Sequence, residues 1–252
     1  MSQPKTQRRL LILPTIVLII LATFFIVLYQ AVKNRFISIN EISLGANDVR
    51  GADISSYQVN VDMAKLKEQG IQFIYIKATE GSSHQDEFFK QNWQNAKNAG
   101  LLSGAYHFFS FESAGITQAQ NFIDTIGNSL EGRLLPAVDV ELYGSHTDNL
   151  PNQENVAREL KSFLDTLETQ YNVKPILYAQ KDFYDKYLAT DFSSYPRWIR
   201  DVYVPANWRN GKDWLIWQYN DRGRLDGYSG GEKYIDLDVL NPNKTLDDLR
   251  VK

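Results

Sequence analysis

From Val49 onward the chain alternates short apolar runs of strand character with segments of helical period, and no other feature constrains its fold as tightly. GADISS (51–56) reads as a strand, and VDMAKLKEQG (61–70), apolar at Val61, Ala64 and Leu66 and closed by glycine, reads as a short helix. FIYIKATEG (73–81) and SGAYHFF (103–109) are further strands, each followed by a helix ending in glycine, over 86–100 and 115–127. A fourth strand lies within RLLPAVDVELYG (133–144). A polar loop follows, then a long helix with Val156, Leu160, Phe163, Leu164 and Leu167 on one face, then the strand PILYAQ (175–180). Thereafter the helices fade. WIRDV (198–202), DWLIWQYN (213–220) and YIDLDVL (234–240) read as strands joined by loops rich in Gly, Asn, Asp and Arg.

Strands alternating with helices call for parallel β-α units, and about eight strands in roughly 200 residues favour a closed barrel over an open sheet. The fold class expected is therefore α/β, an irregular TIM-like (β/α)5(β)3 barrel over residues 49–247. In such barrels the chemistry gathers at the carboxyl ends of the strands.

The N-terminus makes a separate statement. Residues 10–29, LLILPTIVLIILATFFIVLY, carry no charge and are long enough for a helix to cross a bilayer's hydrocarbon core. A transmembrane anchor is expected there, with residues 1–9 as a short cytoplasmic tail and 30–48 as a tether. A cleavable signal peptide is the rival, but the apolar run exceeds the usual 7 to 15 residues and no small-x-small site follows it cleanly. Lys5, Arg8 and Arg9 precede the span while Lys33 and Arg35 follow it, so the charge bias is thin. The expected topology is N-terminus inside and barrel on the periplasmic or extracellular side, or secreted if the segment is cleaved.

Composition excludes several classes. The net charge is −3 with Lys and Arg scattered, so no basic footprint marks a nucleic-acid partner. With no cysteine there is no disulfide, thiolate metal site or cysteine nucleophile. The three histidines, His84, His107 and His146, show no zinc-type spacing, and no metal site is expected. No oligomer interface is legible, and a monomer is expected.

Acids at strand ends are the candidates for function. Asp139 and Glu141 lie two residues apart on the fourth strand, so they project to one face with α-carbons roughly 6.6 Å apart, while Val138 and Val140 project to the other. Two carboxyls so close cannot both ionise freely, and at least one is expected to keep its proton. Asp53 on the first strand and Asp236 on the last become neighbours when a barrel closes, giving one acidic floor from three strands. Tyr57, Tyr106, Tyr143, Tyr178, Trp217 and Tyr219 fall at or near strand ends, where flat rings can bind a ligand or simply pack the barrel. For Trp217, alternation sends Leu215 and Tyr219 to its own side, and both readings stay open.

The runs G-A-D-I-S-S-Y-Q (51–58), K-A-T-E-G (77–81), G-A-Y-H-F (104–108), P-A-V-D-V-E (136–141), W-Q-Y (217–219) and I-D-L-D (235–238) resemble, in order and spacing, the glycoside hydrolase family 25 lysozymes. The likeness covers about residues 49–242. It implies a muramidase that cuts the β-1,4 bond between N-acetylmuramic acid and N-acetylglucosamine in peptidoglycan glycan strands, on a flattened barrel, with no cofactor. By motif, Glu141 matches the proposed general acid, Asp139 its carboxylate partner, and Asp53 and Asp236 the remaining acids. At Asp238 the family's motif more often has asparagine, which leaves one charge to be explained. Lys77 and Glu80 stand in a motif without an assigned role.

Paired carboxyls supply what glycosidic cleavage needs, a proton for the leaving oxygen and negative charge near an oxocarbenium ion. A D-x-E pair on one strand suits the substrate-assisted scheme, with Asp139 holding the 2-acetamido group and Glu141 protonating. A chitinase-like hydrolase of N-acetylglucosamine polymers would carry a longer D-x-x-D-x-D-x-E run, absent here. A noncatalytic peptidoglycan-binding envelope module is the alternative from another class, against which the four acids argue.

Overall fold

The computed structural model describes residues 5–34 and 37–252. The strands are β1 (Arg50–Ile54), β2 (Ile71–Glu80), the two-residue β3 (His84–Gln85), β4 (Leu102–Phe108), β5 (Ala137–Asp139), β6 (Ile176–Gln180), β7 (Arg197–Arg200), β8 (Ile216–Gly223) and β9 (Ile235–Leu240). β3 folds back on the end of β2, and the other eight close a barrel in the order β1–β2–β4–β5–β6–β7–β8–β9 and back to β1. Every neighbouring pair from β1 through β8 is parallel, while β9 runs antiparallel to both β8 and β1. This is the expected irregular barrel. Helices α3 (Met63–Glu68), α4 (Phe89–Asn98), α5 (Gly115–Ile126) and α6 (Gln153–Tyr171), and the helical stretch 181–188 that opens with α7 (Lys181–Phe183), complete five β-α units. A single turn, α8 (Ala206–Arg209), interrupts the last three strands.

Local chemistry sets these boundaries. Asp62 caps α3 by accepting from the Lys65 N–H at 3.0 Å, and Asn152 caps α6 from Asn155 at the same distance. The expected glycine stops follow at Gly70 and Gly100, with φ of 94° and 61°, where a side chain would be strained. β5 is shorter than the apolar run around it because Pro136 has no N–H to give, and residues 133–135 turn instead to the C-terminus. There the Leu135 N–H donates to the Leu249 carbonyl at 2.7 Å.

The core has two layers. Inside the barrel Phe73, Tyr75, Tyr178, Trp198, Ile216 and Leu240 pack together, with Leu249 sealing the bottom. Tyr75 and Trp198 have ring centroids 4.8 Å apart, and Trp198 meets Tyr178 edge-on at 5.2 Å. Outside, the alternate residues of each strand meet the helices, with Phe163 and Leu164 of α6 wholly buried. His107 belongs to this outer layer. It bonds Thr79 at 2.7 Å and Gln118 of α5 at 3.0 Å, and burial lowers its pKa to about 3, so it is a neutral structural linker.

At the N-terminus α1 runs over Lys5–Lys33, 29 residues and so about 44 Å long. Within it Pro14–Lys33 is apolar enough to cross a bilayer, with a mean hydropathy of 2.5, and is not buried by the rest of the chain. The segment expected as a tether contains a helical turn, α2 (Ile39–Ile42), whose Asn40 is wholly buried against the barrel.

The large rings fit because the residue beside each on the adjacent strand is glycine. A Cβ at Gly51 would sit 2.3 Å from the Phe73 ring, and one at Gly104 would sit 2.4 Å from Tyr75. Gly104→Ala should therefore overpack the barrel interior and cost about 1–3 kcal/mol. Circular-dichroism melts should show Tm lowered by roughly 2–4 °C for each kcal/mol. A melt matching the parent would show that the interior has slack that this packing does not.

Candidate active site

The barrel's upper mouth opens into a cleft of about 690 Å³ lined by Asp53, Asp139, Glu141 and Asp236. Asp53 sits near the carboxyl end of β1 and Asp139 ends β5, as strand-end acids were expected to do. Glu141 lies just past the ladder, on backbone kept extended by the Val140 N–H bonding the Tyr178 carbonyl at 3.0 Å. Val138 and Val140 point outward and are wholly buried. Asp236 differs from the expectation of a carboxyl end, since it stands at the start of β9. Because β9 is antiparallel, its start lies at the same mouth, directly opposite Asp53 in the ladder.

Tyr57, Tyr106, Tyr143 and Tyr178 line the cleft. Tyr57 is 73% exposed at the rim. Tyr143 stacks on Phe111 at 5.4 Å, and its hydroxyl accepts from the Phe111 N–H at 3.0 Å and also binds Glu112, so its ring face is what it offers the cleft. Trp217 and Tyr219 are a correction. They point out of the barrel into the helical layer, where Trp217 packs between Trp214 and Tyr219 and donates its Nε1–H to the Asp201 carbonyl at 2.8 Å. Alternation grouped them properly but could not say which face was inside. The inward residue of that strand is Gln218.

Residues missed in the sequence occupy the floor. Gln218 donates its Nε2–H to Asp53 at 2.8 Å and accepts the Tyr178 hydroxyl at 3.0 Å. Trp198 lines the cleft and donates its Nε1–H to Asp238 at 2.9 Å. Trp198 was legible as an inward residue of WIRDV, had its strand's phase been known. Asp238 has no solvent exposure, and no N–H donor reaches its second oxygen, Oδ2. The Asp53 carboxyl is its hydrogen-bond neighbour, a contact two carboxyls can make only when one carries a proton.

Burial dominates the electrostatics. It pushes Asp53 well above the ordinary carboxylate range, with the negative charge of Asp238 adding to the shift, and it does the same to Asp238. Asp139 is likewise held well above, first by burial and then by Glu141. Glu141 is raised by burial, while the hydrogen bond from Gln180 Nε2 at 3.3 Å and the charges of Arg200 and Lys77 pull the other way. Lys77 also lowers Asp139 and is itself paired with Glu80 at 2.7 Å, which gives that motif a place in the cleft wall. Asp139 Oδ1 is buried, and no donor within the described residues reaches it.

The profile of Glycosyl hydrolases family 25 matches residues 52–228. A family 25 glycosyl hydrolase structure from Bacillus anthracis is 41% identical and superposes with a TM-score of 0.73 over 80% of this chain and 93% of that one. Protein YegX of Escherichia coli K12 is 35% identical over 198 residues, covering 77% of this chain and 70% of its own length. Lysozyme M1 of Streptomyces globisporus is 29% identical over 213 residues, 76% of this chain and 69% of that protein. With the barrel, the acid-floored mouth and these likenesses in agreement, the chain belongs to glycosyl hydrolase family 25.

Proposed function

We propose that this chain is a lysozyme that hydrolyses the β-1,4 bond between N-acetylmuramic acid and N-acetylglucosamine in bacterial peptidoglycan, with Glu141 as general acid and Asp139 as its partner. The relatives named as lysozymes support the substrate. The observation that carries the mechanism is the Asp139–Glu141 pair itself. Each group's pKa is raised by burial, Asp139's further by Glu141, and Asp139 Oδ1 still lacks a donor.

Burial, with the repulsion of Glu141 adding to it at Asp139, favours one proton held between the two carboxyls. In the first step Glu141 gives that proton to the glycosidic oxygen as the C1–O bond breaks. The carbonyl oxygen of the muramic acid's 2-acetamido group closes on C1 from the opposite face, and Asp139 Oδ1 accepts the acetamido N–H. In the second step Glu141 takes a proton from water while the water oxygen opens the ring at C1, so the anomeric configuration is retained. The sugar cation forms over the floor of Asp53 and Asp236, where negative charge is favourable. Asp53 and Asp238 share a second proton, with Asp53 as the donor and Asp238 as the acceptor that orients it. Tyr57, Tyr106, Tyr143 and Tyr178 supply faces and hydroxyls for sugar rings.

The apolar α1 is read as an uncleaved anchor, with the N-terminus inside and the barrel on the outer side of the membrane.

Glu141→Gln should lower kcat on purified peptidoglycan by about two to four orders of magnitude, and mass spectrometry of the parent's digest should find reducing N-acetylmuramic acid. Full turnover by the variant would remove Glu141 as the general acid, no turnover by the parent would leave only a wall-binding module, and an inverted product would remove the acetamido route. Lys77→Met removes a cation that lowers both members of the pair, so their proton should persist to higher pH and the alkaline limb of kcat/KM should move upward. A limb that stays put or moves to lower pH would place the titrating acid elsewhere. Asp238, whose folded pKa lies above its unfolded one, contributes stability below about pH 4 that is lost as pH rises through the folded value. Asp238→Asn should therefore gain Tm over the parent progressively from pH 4 upward. A difference independent of pH would deny the shared proton.

A further inference from the structure

Residues 37–44, ahead of the barrel, are fastened rather than loose. Ser38 caps α2 through the Glu41 N–H at 3.3 Å. Asn40, with no solvent exposure, donates from Nδ2 to the carbonyls of Asp201 at 2.8 Å and Tyr219 at 2.9 Å. A buried amide moved away from such partners would be left without its hydrogen bonds, so this docking is specific to one position on the wall. The Asp201 carbonyl is the one that also receives Trp217 Nε1–H, which ties the outward Trp217 to this contact. Beside it Asn220 Nδ2 donates to Glu41 at 2.7 Å.

The fastening reaches the end of the span. α1 stops at Lys33, and Arg222 Nη1 donates to the carbonyl of Asn34 at 3.3 Å. Arg222 also lines the acidic cleft. One arginine side chain therefore joins the exit of the membrane helix to the rim of the site. A free 19-residue Gly/Ser-like linker would let those points wander with a separation of roughly 24 Å. The same flank carries Tyr203, 50% exposed in a cavity with Val32 and Ile37, and Trp208, 71% exposed in a groove with Ser43 and Leu44. Exposed Tyr and Trp are the residues that settle at a bilayer's headgroup layer.

We infer that residues 37–48 are a rigid mount that seats the barrel against the bilayer and confines its cleft to glycan at the membrane surface, such as strands still joined to lipid. This rests on the reading of α1 as an uncleaved anchor. The occupant of the Tyr203 and Trp208 flank is then the lipid surface from which α1 emerges.

The experiment uses the full chain in liposomes and a variant with a 20-residue Gly/Ser insertion between residues 36 and 37, which leaves α2 and the barrel untouched. Both are offered glycan strands anchored in the same vesicles through a reducing-end lipid, and separately peptidoglycan particles too large to lie on the bilayer. The parent should favour the vesicle-bound strands, and the insertion should raise particle digestion relative to them about tenfold. Hydrogen exchange should find the amides of Ser43 and Leu44 protected in the parent and at least tenfold faster in Asn40→Ala. An unchanged digestion ratio in carbonate-resistant protein, or rapid exchange at Ser43 and Leu44 in the parent, overturns the mount. Full extraction by carbonate overturns the anchor reading and takes the membrane restriction with it, and the exchange data then report the docking alone.

Discussion

Pairing of β9 between β1 and β8 closes the barrel, and the chemistry at its mouth depends on that closure. An open sheet would leave Asp53 and Asp236 at opposite edges in water. Closed, the sheet sets them face to face in one ladder and puts Asp238 opposite Gly51, one step deeper. The residue opposite Asp238 has no side chain, and the Phe73 ring fills the space beside it. Water is thereby excluded beneath the acids while the cleft stays open above them.

Exclusion of water decides the proton count. For Asp53, Asp139, Glu141 and Asp238 alike, burial is the largest influence on the carboxyl, ahead of any neighbouring charge. Two bare carboxylates 4 Å apart would repel by about 4 kcal/mol at an effective dielectric of 20, and desolvation adds to this. A shared proton removes both costs. The floor is thus two acid pairs, one deep and fixed by Trp198 and Gln218, the other at the mouth of the cleft. Lys77 and Arg200 temper the second pair, so its proton is held less tightly than burial alone would hold it.

Most of the architecture was legible because period and glycine stops are local. Strands at 71–80, 102–108 and 176–180, and α6 with its buried face of Val156, Leu160 and Phe163, lie close to where the pattern puts them. What failed was information that a single strand does not carry. The direction of β9 is set by its partners, so Asp236 sits at the right mouth from the opposite end of its strand. The phase of β8 is set by which face closes the barrel, so Trp217 and Tyr219 went to the wrong side while Gln218 went unnoticed. Asp238 stands in the sequence as a surplus charge, and its meaning needs the ladder that brings it beside Asp53. Asn40 gave no signal at all, because its partners are backbone carbonyls about 160 and 180 residues away.

β8 links the site to residues 37–44. Its inward Gln218 holds Asp53, while its outward Trp217 and the carbonyl of Tyr219 meet the Asp201–Asn40 contact. Successive residues of a strand face opposite ways on a backbone that cannot bend between them without breaking its ladder. The ladder here runs on both sides, to β7 through Trp217 and Gln218 and to β9 through the same two residues. A force on residues 37–44 is therefore passed, through the bond from Asn40 to the Tyr219 carbonyl, to the strand whose Gln218 positions Asp53.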